Sequence, residues 1–300
     1  MMPAMRLLLL ACLCFSLGHG VAVAQSAGTA ATTRAPSTRI ALVTGSTDGL
    51  GRELARRLAA EGAHVIVHGR NAERGRALVD EITAAGKGSA RIYQADFASL
   101  AEVGRFADEI ARDYPRVDLL VNNAGIFLRD DRQVSVDGHE LTFAVNYLAG
   151  YVLTYRLVPL LEKGQGPRIV NVSSRSAAPI DFADVMLERG YTGYRAYSQS
   201  KLAQVMFTID LAAELKPKGV VAQAVHPATG MDTTLIKTAG LSARTSIDEG
   251  AAAVMHVIGT DAPSGSYFMQ QTVATPHAQA ADVDARRQLR ELSRRLTGVP

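Results

Sequence analysis

Short apolar runs alternate with longer amphipathic segments from residue 39 onward, and this alternation constrains the fold more than any other feature of the sequence. The apolar runs have the length and composition of buried strands, and they lie at 40–43, 64–67, 91–95, 117–121, 169–172, 220–225 and 267–269. Segments with helical periodicity separate them at 51–61, 71–85, 99–113, 139–162, 194–215 and 246–258. Because strands that alternate with helices form right-handed crossovers, the pattern predicts an α/β fold. We expect a single doubly wound domain whose central parallel sheet is flanked by helices.

The composition is that of a globular protein and excludes several functional classes. Hydrophobic residues make up 47% of the chain and charged residues 20%, which leaves enough apolar side chains for a core. The 32 basic and 29 acidic residues nearly balance, so bulk attraction to nucleic acid is not expected. The two cysteines, Cys12 and Cys14, both precede the alternating pattern, and no HExxH pattern occurs. We therefore predict no disulfide framework, no metal site and no cysteine nucleophile in the domain.

Residues 1–24 have the features of an export signal. Arg6 precedes the apolar run at 7–17, and the small residues at 22–24 form a cleavage pattern. We expect cleavage, which would place the protein in the periplasm or outside the cell. An uncleaved run would instead anchor the protein in a membrane with the domain in the cytoplasm, and an incorrectly assigned start would remove the leader altogether. The Ala-, Thr- and Ser-rich residues 25–38 are expected to form a flexible linker.

Residues 276–300 form a predicted C-terminal helical tail that is rich in arginine. Its arginines are Arg286, Arg287, Arg290, Arg294 and Arg295. A basic stripe can bind nucleic acid, but a solvated helix explains it as well, so we predict the solvated helix and no nucleic-acid partner.

The first predicted strand leads into a glycine-rich turn that begins at Thr44. A turn in this position lets backbone N–H groups and a helix N-terminus face a pyrophosphate. Gly45 permits the tight turn, Gly49 lets a phosphate approach the backbone, and Gly51 lets the helix pack closely on the strand. The residues expected to bind a cofactor here are Gly45, Ser46, Thr47, Asp48, Gly49, Leu50 and Gly51. The alternative is a turn that binds no ligand. The position of this turn directly after the first strand favours binding.

The residues after the second and third strands indicate which dinucleotide binds. Folds of this type commonly hold the adenosine ribose through a carboxylate at the end of the second strand. Gly69 offers no carboxylate, whereas Arg70 offers a guanidinium suited to a 2′-phosphate. We therefore predict NADP(H) rather than NAD(H), with a solvated surface charge as the alternative role for Arg70. Asp96, at the end of the third strand, is expected to bind the adenine amino group.

Four polar residues between positions 146 and 201 suggest acid–base chemistry. Tyr197 and Lys201 are four residues apart on one face of a predicted helix, and a neighbouring ammonium lowers the pKa of a phenol from its usual value of about 10. Ser174 follows a predicted strand at the sheet edge where ligands bind, and its hydroxyl can hydrogen-bond a substrate carbonyl. Asn146 lies inside an apolar helix, either as a core asparagine bonded to backbone or as a group that holds water near Lys201.

Four blocks occur in an order that is typical of one family. They are Thr44-Gly45-x3-Gly49-x-Gly51, Asn122-Asn123-Ala124-Gly125, Ser174 and Tyr197-x3-Lys201. On these blocks the sequence resembles the single-domain branch of the short-chain dehydrogenase/reductase family. The resemblance covers 39–275, which is therefore predicted to be an NADP-binding Rossmann-type domain. A long loop of 22 residues separates Ser174 from Tyr197, and together with residues 264–268 it is similar to the retinol dehydrogenase-like and WW-domain oxidoreductase-like subgroup.

The resemblance implies roles for these residues. Tyr197 would be the general acid or base, and Lys201 would lower its pKa and hold the nicotinamide ribose. Ser174 would orient the carbonyl or alcohol, and Asn146 would position the water of a proton relay. Further implied cofactor contacts are Phe97, Asn123, Ala124, Gly125 and Pro227. Two positions depart from the family, because Ala228 replaces the usual glycine after Pro227 and the threonine that often contacts the carboxamide is out of register, at Thr233 or Thr234.

These features predict an NAD(P)-dependent oxidoreductase that transfers hydride between NADP(H) and a carbonyl or alcohol. The loops at 126–138, 175–193 and 228–245 carry many apolar residues, so a lipophilic small-molecule substrate is expected. A non-catalytic NADP(H)-binding sensor or partner module on the same fold is the alternative, and the glycine spacing disfavours a sugar-nucleotide epimerase. Since family members commonly pair through the helix at 139–162, a homodimer is a further expectation.

Overall fold

A computed structural model describes residues 38–129 and 131–300. The predicted leader at 1–24 and all but the last residue of the predicted linker at 25–38 lie outside the described residues, so export and anchoring stay predictions. Within the described part of the chain, no helix combines the length and apolarity needed to span a bilayer.

One sheet of eight strands forms the centre of the fold. The strands are β1 (Ile40–Val43), β2 (His64–Gly69), β3 (Ser89–Gln94), β4 (Leu119–Asn122), β5 (Arg168–Val172), β6 (Val221–His226), β7 (Tyr267–Met269) and β8 (Thr272–Ala274). Their spatial order is β3-β2-β1-β4-β5-β6-β7-β8. All neighbours pair in parallel except β7 and β8, which form an antiparallel hairpin. This arrangement confirms the predicted doubly wound α/β domain.

Helices cover the sheet. They are α1 (Gly49–Ala60), α2 (Ala72–Ala85), α3 (Leu100–Asp113), α4 (Leu141–Phe143), α5 (Ala149–Leu161), α6 (Gly193–Leu215), α7 (Thr234–Thr238), α8 (Ile247–Gly259), α9 (Ala278–Ala281) and α10 (Val283–Thr297). A 3₁₀ turn at Lys216–Lys218 extends α6. Two apolar clusters make up the core, one including side chains of α3, α5 and α6 and the other including side chains of α1, α2 and α8.

The segment predicted as one helix at 139–162 is interrupted. A π-helical stretch, Ala144–Leu148, separates α4 from α5 and contains Asn146. Such π-bulges frequently occur at functional sites, because one extra residue in a helical turn redirects the side chains around it. The 3.6-residue periodicity of the sequence gives no sign of this insertion.

The C-terminal tail departs from its prediction. Helix α10 is amphipathic, and its buried face carries Ala285, Leu289 and Ser293. Arg286 and Arg290 reach Asp210 on α6 at 2.7 and 2.8 Å. The prediction of a solvated helix is therefore wrong for one face, because three small or apolar residues at helical spacing pack against the domain.

Candidate active site

The carboxyl ends of the parallel strands place the predicted site residues at one edge of the sheet. Strand β1 ends at the glycine turn, β4 at the segment Asn123–Gly125, β5 at Ser173 and Ser174, and β6 at Pro227. The first turns of α6 bring Tyr197 and Lys201 to the same edge. Residues from five parts of the chain therefore meet where ligands bind in open α/β sheets.

The glycine turn has the backbone geometry of an anion cradle. Gly45 and Gly49 adopt φ values of 63° and 51°, a left-handed conformation that side chains disfavour. A Cβ on Gly45 would come within 2.9 Å of the Ala124 Cα, and one on Gly51 would collide with the carbonyl oxygen of Gly45. The turn thus needs its glycines, and it places the N-terminus of α1 at the sheet edge, the kind of position at which helix N-termini bind anions.

Asp48 caps the N-terminus of α1 and also contacts the segment after β6. Its Oδ1 accepts a hydrogen bond from Gly49 N at 2.8 Å, and its Oδ2 accepts one from Thr234 Oγ1 at 2.6 Å. The side chain of Thr233 lies against Gly49, where an added Cβ would meet its Cγ2 at 3.2 Å. Thr233 and Thr234, whose positions are shifted from the family pattern, therefore lie next to residues of the glycine turn.

His68, which the sequence did not single out, supports this turn from beneath. Gly45 N donates to His68 Nδ1 at 3.1 Å, and His68 Nε2 lies 3.2 Å from Ala95 O, so the proton is on Nε2. Burial lowers the pKa of His68 to about 4, which keeps the ring neutral at physiological pH. Phe97 stacks on the ring with centroids 4.2 Å apart. No local pattern predicts this residue, because its partners come from β1 and the end of β3.

Several residues predicted to bind the cofactor have buried side chains. Ser46, Leu50 and Phe97 are each at most 5% exposed. Ser46 Oγ accepts a hydrogen bond from His68 N at 2.9 Å, which ties the glycine turn to β2. The side chains of these residues therefore shape the site from behind rather than line it.

Two arginines lie at the end of the site formed by β2. Arg70 is 68% exposed, and its Nη1 lies 3.9 Å from Asp96 Oδ2. Arg74, one helical turn further along, has its Nη1 3.5 Å from Asp48 Oδ2 and is 61% exposed. Arg74 was missed in the sequence, although its spacing of four from Arg70 is a readable signal. Asp96 is held by a hydrogen bond from its N to Glu102 Oε2 at 2.8 Å.

The segment after β4 locks the glycine turn to the centre of the sheet. Asn123 Nδ2 donates to Thr44 O at 2.8 Å, and the Asn123 and Ala124 amides donate to Thr44 Oγ1 at 2.9 and 3.0 Å. A Cβ on Gly125 would lie 3.3 Å from Asn146 Oδ1 and 3.6 Å from Lys201 Nζ. Because Gly125 has no side chain, the amide of Asn146 and the ammonium of Lys201 can both lie close to its backbone.

Tyr197, Lys201 and Ser174 meet as predicted, but their electrostatics differ from the prediction. The Lys201 Nζ lies 5.6 Å from the centroid of the Tyr197 ring. Burial raises the pKa of Tyr197 to about 12, while a side-chain hydrogen bond with Ser174 acts in the opposite direction. Burial also lowers the pKa of Lys201 to about 7. The expected lowering of the phenol pKa is thus absent in this structure, because desolvation outweighs the stabilisation of the phenolate.

Asn146 makes the contacts expected of a core asparagine and lies beside the catalytic candidates as well. Its Oδ1 accepts from Ile126 N at 2.8 Å, and its Nδ2 lies 3.1 Å from Ile126 O and 3.0 Å from Ser200 Oγ. The π-helical stretch directs this amide toward α6. Both interpretations of Asn146 are therefore compatible with its position.

The long loop at 175–193, which the sequence predicts to shape a substrate pocket, is tied to α6 and α9. Gln199 Nε2 donates to Val185 O at 2.7 Å, and Gln279 on α9 makes two hydrogen bonds to the backbone of Ile180, at 2.7 and 3.0 Å. The ring of Phe127 lies 5.2 Å from that of Tyr197. Ala228, which stands in place of the family's glycine, is 5% exposed. The wall next to the tyrosine is therefore aromatic and apolar.

Known proteins are similar to this chain in sequence and in fold. The family model for short chain dehydrogenases matches residues 39–244. Polyprenol dehydrogenase of Mus musculus is 35% identical, covering 87% of this chain and 84% of its own. Human retinol dehydrogenase 11 is 30% identical, covering 100% and 98%.

Solved structures agree with these relatives. An uncharacterized protein from Mycobacterium paratuberculosis matches with a TM-score of 0.73 and 30% identity, covering 87% of this chain and 94% of that one. A short chain dehydrogenase from Burkholderia cenocepacia J2315, in complex with NADP, matches with a TM-score of 0.63 and 31% identity, covering 77% and 95%. The chain therefore belongs to the short-chain dehydrogenase/reductase family, in its retinol dehydrogenase-like subgroup of oxidoreductases that act on alcohol or carbonyl groups.

Proposed function

We propose that the protein is an NADP(H)-dependent oxidoreductase that interconverts a lipophilic alcohol and its carbonyl compound through Ser174, Tyr197, Lys201 and Asn146. One observation carries the proposal. The phenol of Tyr197, the hydroxyl of Ser174 and the buried ammonium of Lys201 converge at the sheet edge that also holds the glycine turn. A binding module without catalysis has no need of this convergence.

The residues at the sheet edge fit a dinucleotide. The glycine turn would hold the pyrophosphate at the N-terminus of α1, Asn123 and Ala124 would line the groove, and Pro227 would border the nicotinamide. When bound, the nicotinamide supplies or accepts the hydride. Lys201 would hold the nicotinamide ribose as well as face the phenol.

The proton chemistry belongs to the residues of this chain. Tyr197 would give a proton to the carbonyl oxygen in reduction and take it from the alcohol in oxidation. Ser174 would orient that oxygen by a hydrogen bond, since its hydroxyl lies near the phenol and acts to lower the pKa of Tyr197. The ammonium of Lys201 would stabilise the phenolate that forms when the proton leaves. Asn146 would hold a water that returns the proton.

Three observations support NADP(H) over NAD(H). Gly69 provides no carboxylate for ribose hydroxyls, and Arg70 and Arg74 extend exposed guanidinium groups at this end of the site. An Arg guanidinium pairs with phosphate through charge-assisted hydrogen bonds. The Burkholderia relative was solved with NADP.

The lipophilic substrate is supported by the walls of the site. Phe127 lies beside Tyr197, and the loop at 175–193 carries the partly buried apolar residues Phe182 and Met186. The names of two relatives, polyprenol dehydrogenase and retinol dehydrogenase, also support a lipophilic substrate.

Replacing Tyr197 by phenylalanine tests the proposal. Tyr197→Phe removes one oxygen and the transferred proton, so we expect turnover of a lipophilic aldehyde with NADPH to fall by a factor of about 10³ or more. The affinity for NADPH, followed by nicotinamide fluorescence, should change by no more than a few fold. Residual turnover near the wild-type rate would rule out the proposed mechanism. NADPH binding without turnover by the wild-type protein on any carbonyl tried would favour the sensor or partner module.

A further inference from the structure

The ammonium of Lys201 is held by two oxygen acceptors, and one of them is a side chain. Lys201 Nζ donates to Val172 O at 2.9 Å and to Gln204 Oε1 at 3.0 Å. Lys201 is 3% exposed and Gln204 4% exposed, so both partners are removed from water. Gln204 follows Lys201 by three residues on α6, which places the two side chains on one face of the helix.

Gln204 is itself anchored by a chain of buried polar groups. Thr208 Oγ1 donates to Gln204 O at 2.7 Å and accepts from Asn171 Nδ2 at 2.8 Å. Asn171 Oδ1 in turn accepts from Asn122 Nδ2 at 2.8 Å. This chain runs from β4 through β5 to α6, so it fixes the rotation of the helix about its axis. The chain therefore fixes the backbone of α6 at Gln204 against the sheet, and the side-chain amide of Gln204 extends from there to Lys201.

A buried cation depends on its acceptors. An ammonium group taken out of water loses stability unless oxygen atoms replace its hydration shell, and here Val172 O and Gln204 Oε1 do so. Around the ammonium, α6 presents Tyr197, the π-helical stretch presents Asn146, and the loop after β4 presents Gly125. Of these groups only Tyr197 titrates, and desolvation is the one cause that shifts the pKa of Lys201. Among the described residues, no carboxylate contributes to the pKa of Lys201, so none compensates for a lost acceptor.

We propose that Gln204 is a positioning residue that keeps the Lys201 ammonium protonated and directed toward Tyr197. The proposal rests on the proposed function, in which this ammonium serves the proton chemistry of the tyrosine. Gln204 touches neither the substrate nor the phenol in this account. It acts through Lys201 alone.

The titration of Lys201 can be measured directly. The chain contains six lysines, Lys87, Lys163, Lys201, Lys216, Lys218 and Lys237, so ¹³Cε-lysine NMR gives a countable set of signals. Lys201→Arg assigns the signal of interest, and the other five lysines are internal controls. In Gln204→Leu, which keeps the volume but removes the acceptor, we expect the pKa of Lys201 to fall by about one pH unit. In Gln204→Glu, which adds a negative charge, we expect the pKa to rise.

The pH profile of turnover gives a second readout. Since activity in this scheme needs the protonated ammonium, the alkaline limb of kcat/KM should move to lower pH in Gln204→Leu and to higher pH in Gln204→Glu. If the leucine variant does not fold, the near-isosteric glutamate variant still decides the question. Unchanged titration of Lys201 in the folded variants would show that Gln204 only packs. That outcome is separate from failure of the proposed function, which Tyr197→Phe reports.

Discussion

At the residue scale, we expect Arg70 to decide which cofactor the protein prefers. Its guanidinium is exposed, and its ion pair with Asp96 is long at 3.9 Å and therefore weak. The side chain can turn toward a phosphate at little cost in free energy. We expect Arg70→Glu to weaken NADPH binding by about 10- to 100-fold, because a charge-assisted hydrogen bond becomes a like-charge repulsion. NADH binding should change by only a few fold. Calorimetric titration with both cofactors measures this difference.

A matched control tells whether Arg70 acts through a local contact with the cofactor or only through the overall charge of the protein. Arg76→Glu makes the same charge change at an exposed position of α2, which Arg70 precedes. It should leave the ratio of the two affinities near the wild-type value. Equal loss of NADPH and NADH binding in Arg70→Glu would mean that Arg70 supports the structure rather than the 2′-phosphate.

Single residues were predictable when their signal was local in the sequence. Tyr197 and Lys201 share a helical face, and Arg70 follows a strand, so the sequence indicated all three. His68 and Gln204 were not singled out, since the role of His68 depends on groups brought to it by other strands. The pKa of Tyr197 was predicted with the wrong direction, because burial of the phenol is a property of the folded molecule and cannot be read from spacing.

At the element scale, helix α9 holds the loop at 175–193, which we propose to border the substrate. The amide of Gln279 forms two hydrogen bonds to the backbone of Ile180, 99 residues away along the chain. We expect Gln279→Ala to raise KM for a lipophilic carbonyl several-fold with kcat nearly unchanged, because Tyr197 lies on α6 and not on the loop. Gln288→Ala, on the exposed face of α10, should alter neither constant. Steady-state kinetics of both variants would refute the role of α9 if kcat alone fell.

Elements with strong periodicity were the ones that the sequence predicted best. Strands β1 to β6 and helices α1 to α3 lie close to their predicted bounds, because buried strands and capped amphipathic helices leave local patterns. Strand β8 was missed, since Thr272–Ala274 is short and largely exposed and its turn at Gln270 and Gln271 lacks the usual glycine or asparagine. The π-helical stretch was missed for a different reason, because apolar residues on all sides hide its extra residue.

At the scale of the whole molecule, α10 covers the helices through which a homodimer was expected. The hydroxyl of Tyr147 lies 2.7 Å from Ser293 Oγ, and Tyr151 Oη donates to Pro300 O at 2.5 Å. Part of the surface of the predicted helix at 139–162 is therefore covered by the tail of the same chain. The homodimer stays a prediction, and any pairing through this face would have to include the tail or displace it.

The packing of α10 onto the domain predicts a stability effect that is large for a terminal helix. Leu289 is 2% exposed, so Leu289→Ala should lower the free energy of unfolding by about 2–4 kcal/mol through lost burial and a residual cavity. Arg287, 53% exposed on the opposite side of α10, provides the control, and Arg287→Ala should leave the free energy of unfolding close to that of the wild type. Urea unfolding followed by circular dichroism measures both values. If Leu289→Ala unfolds at the wild-type midpoint, the tail does not dock on α6 in solution, and the link from α9 to the substrate loop loses its support.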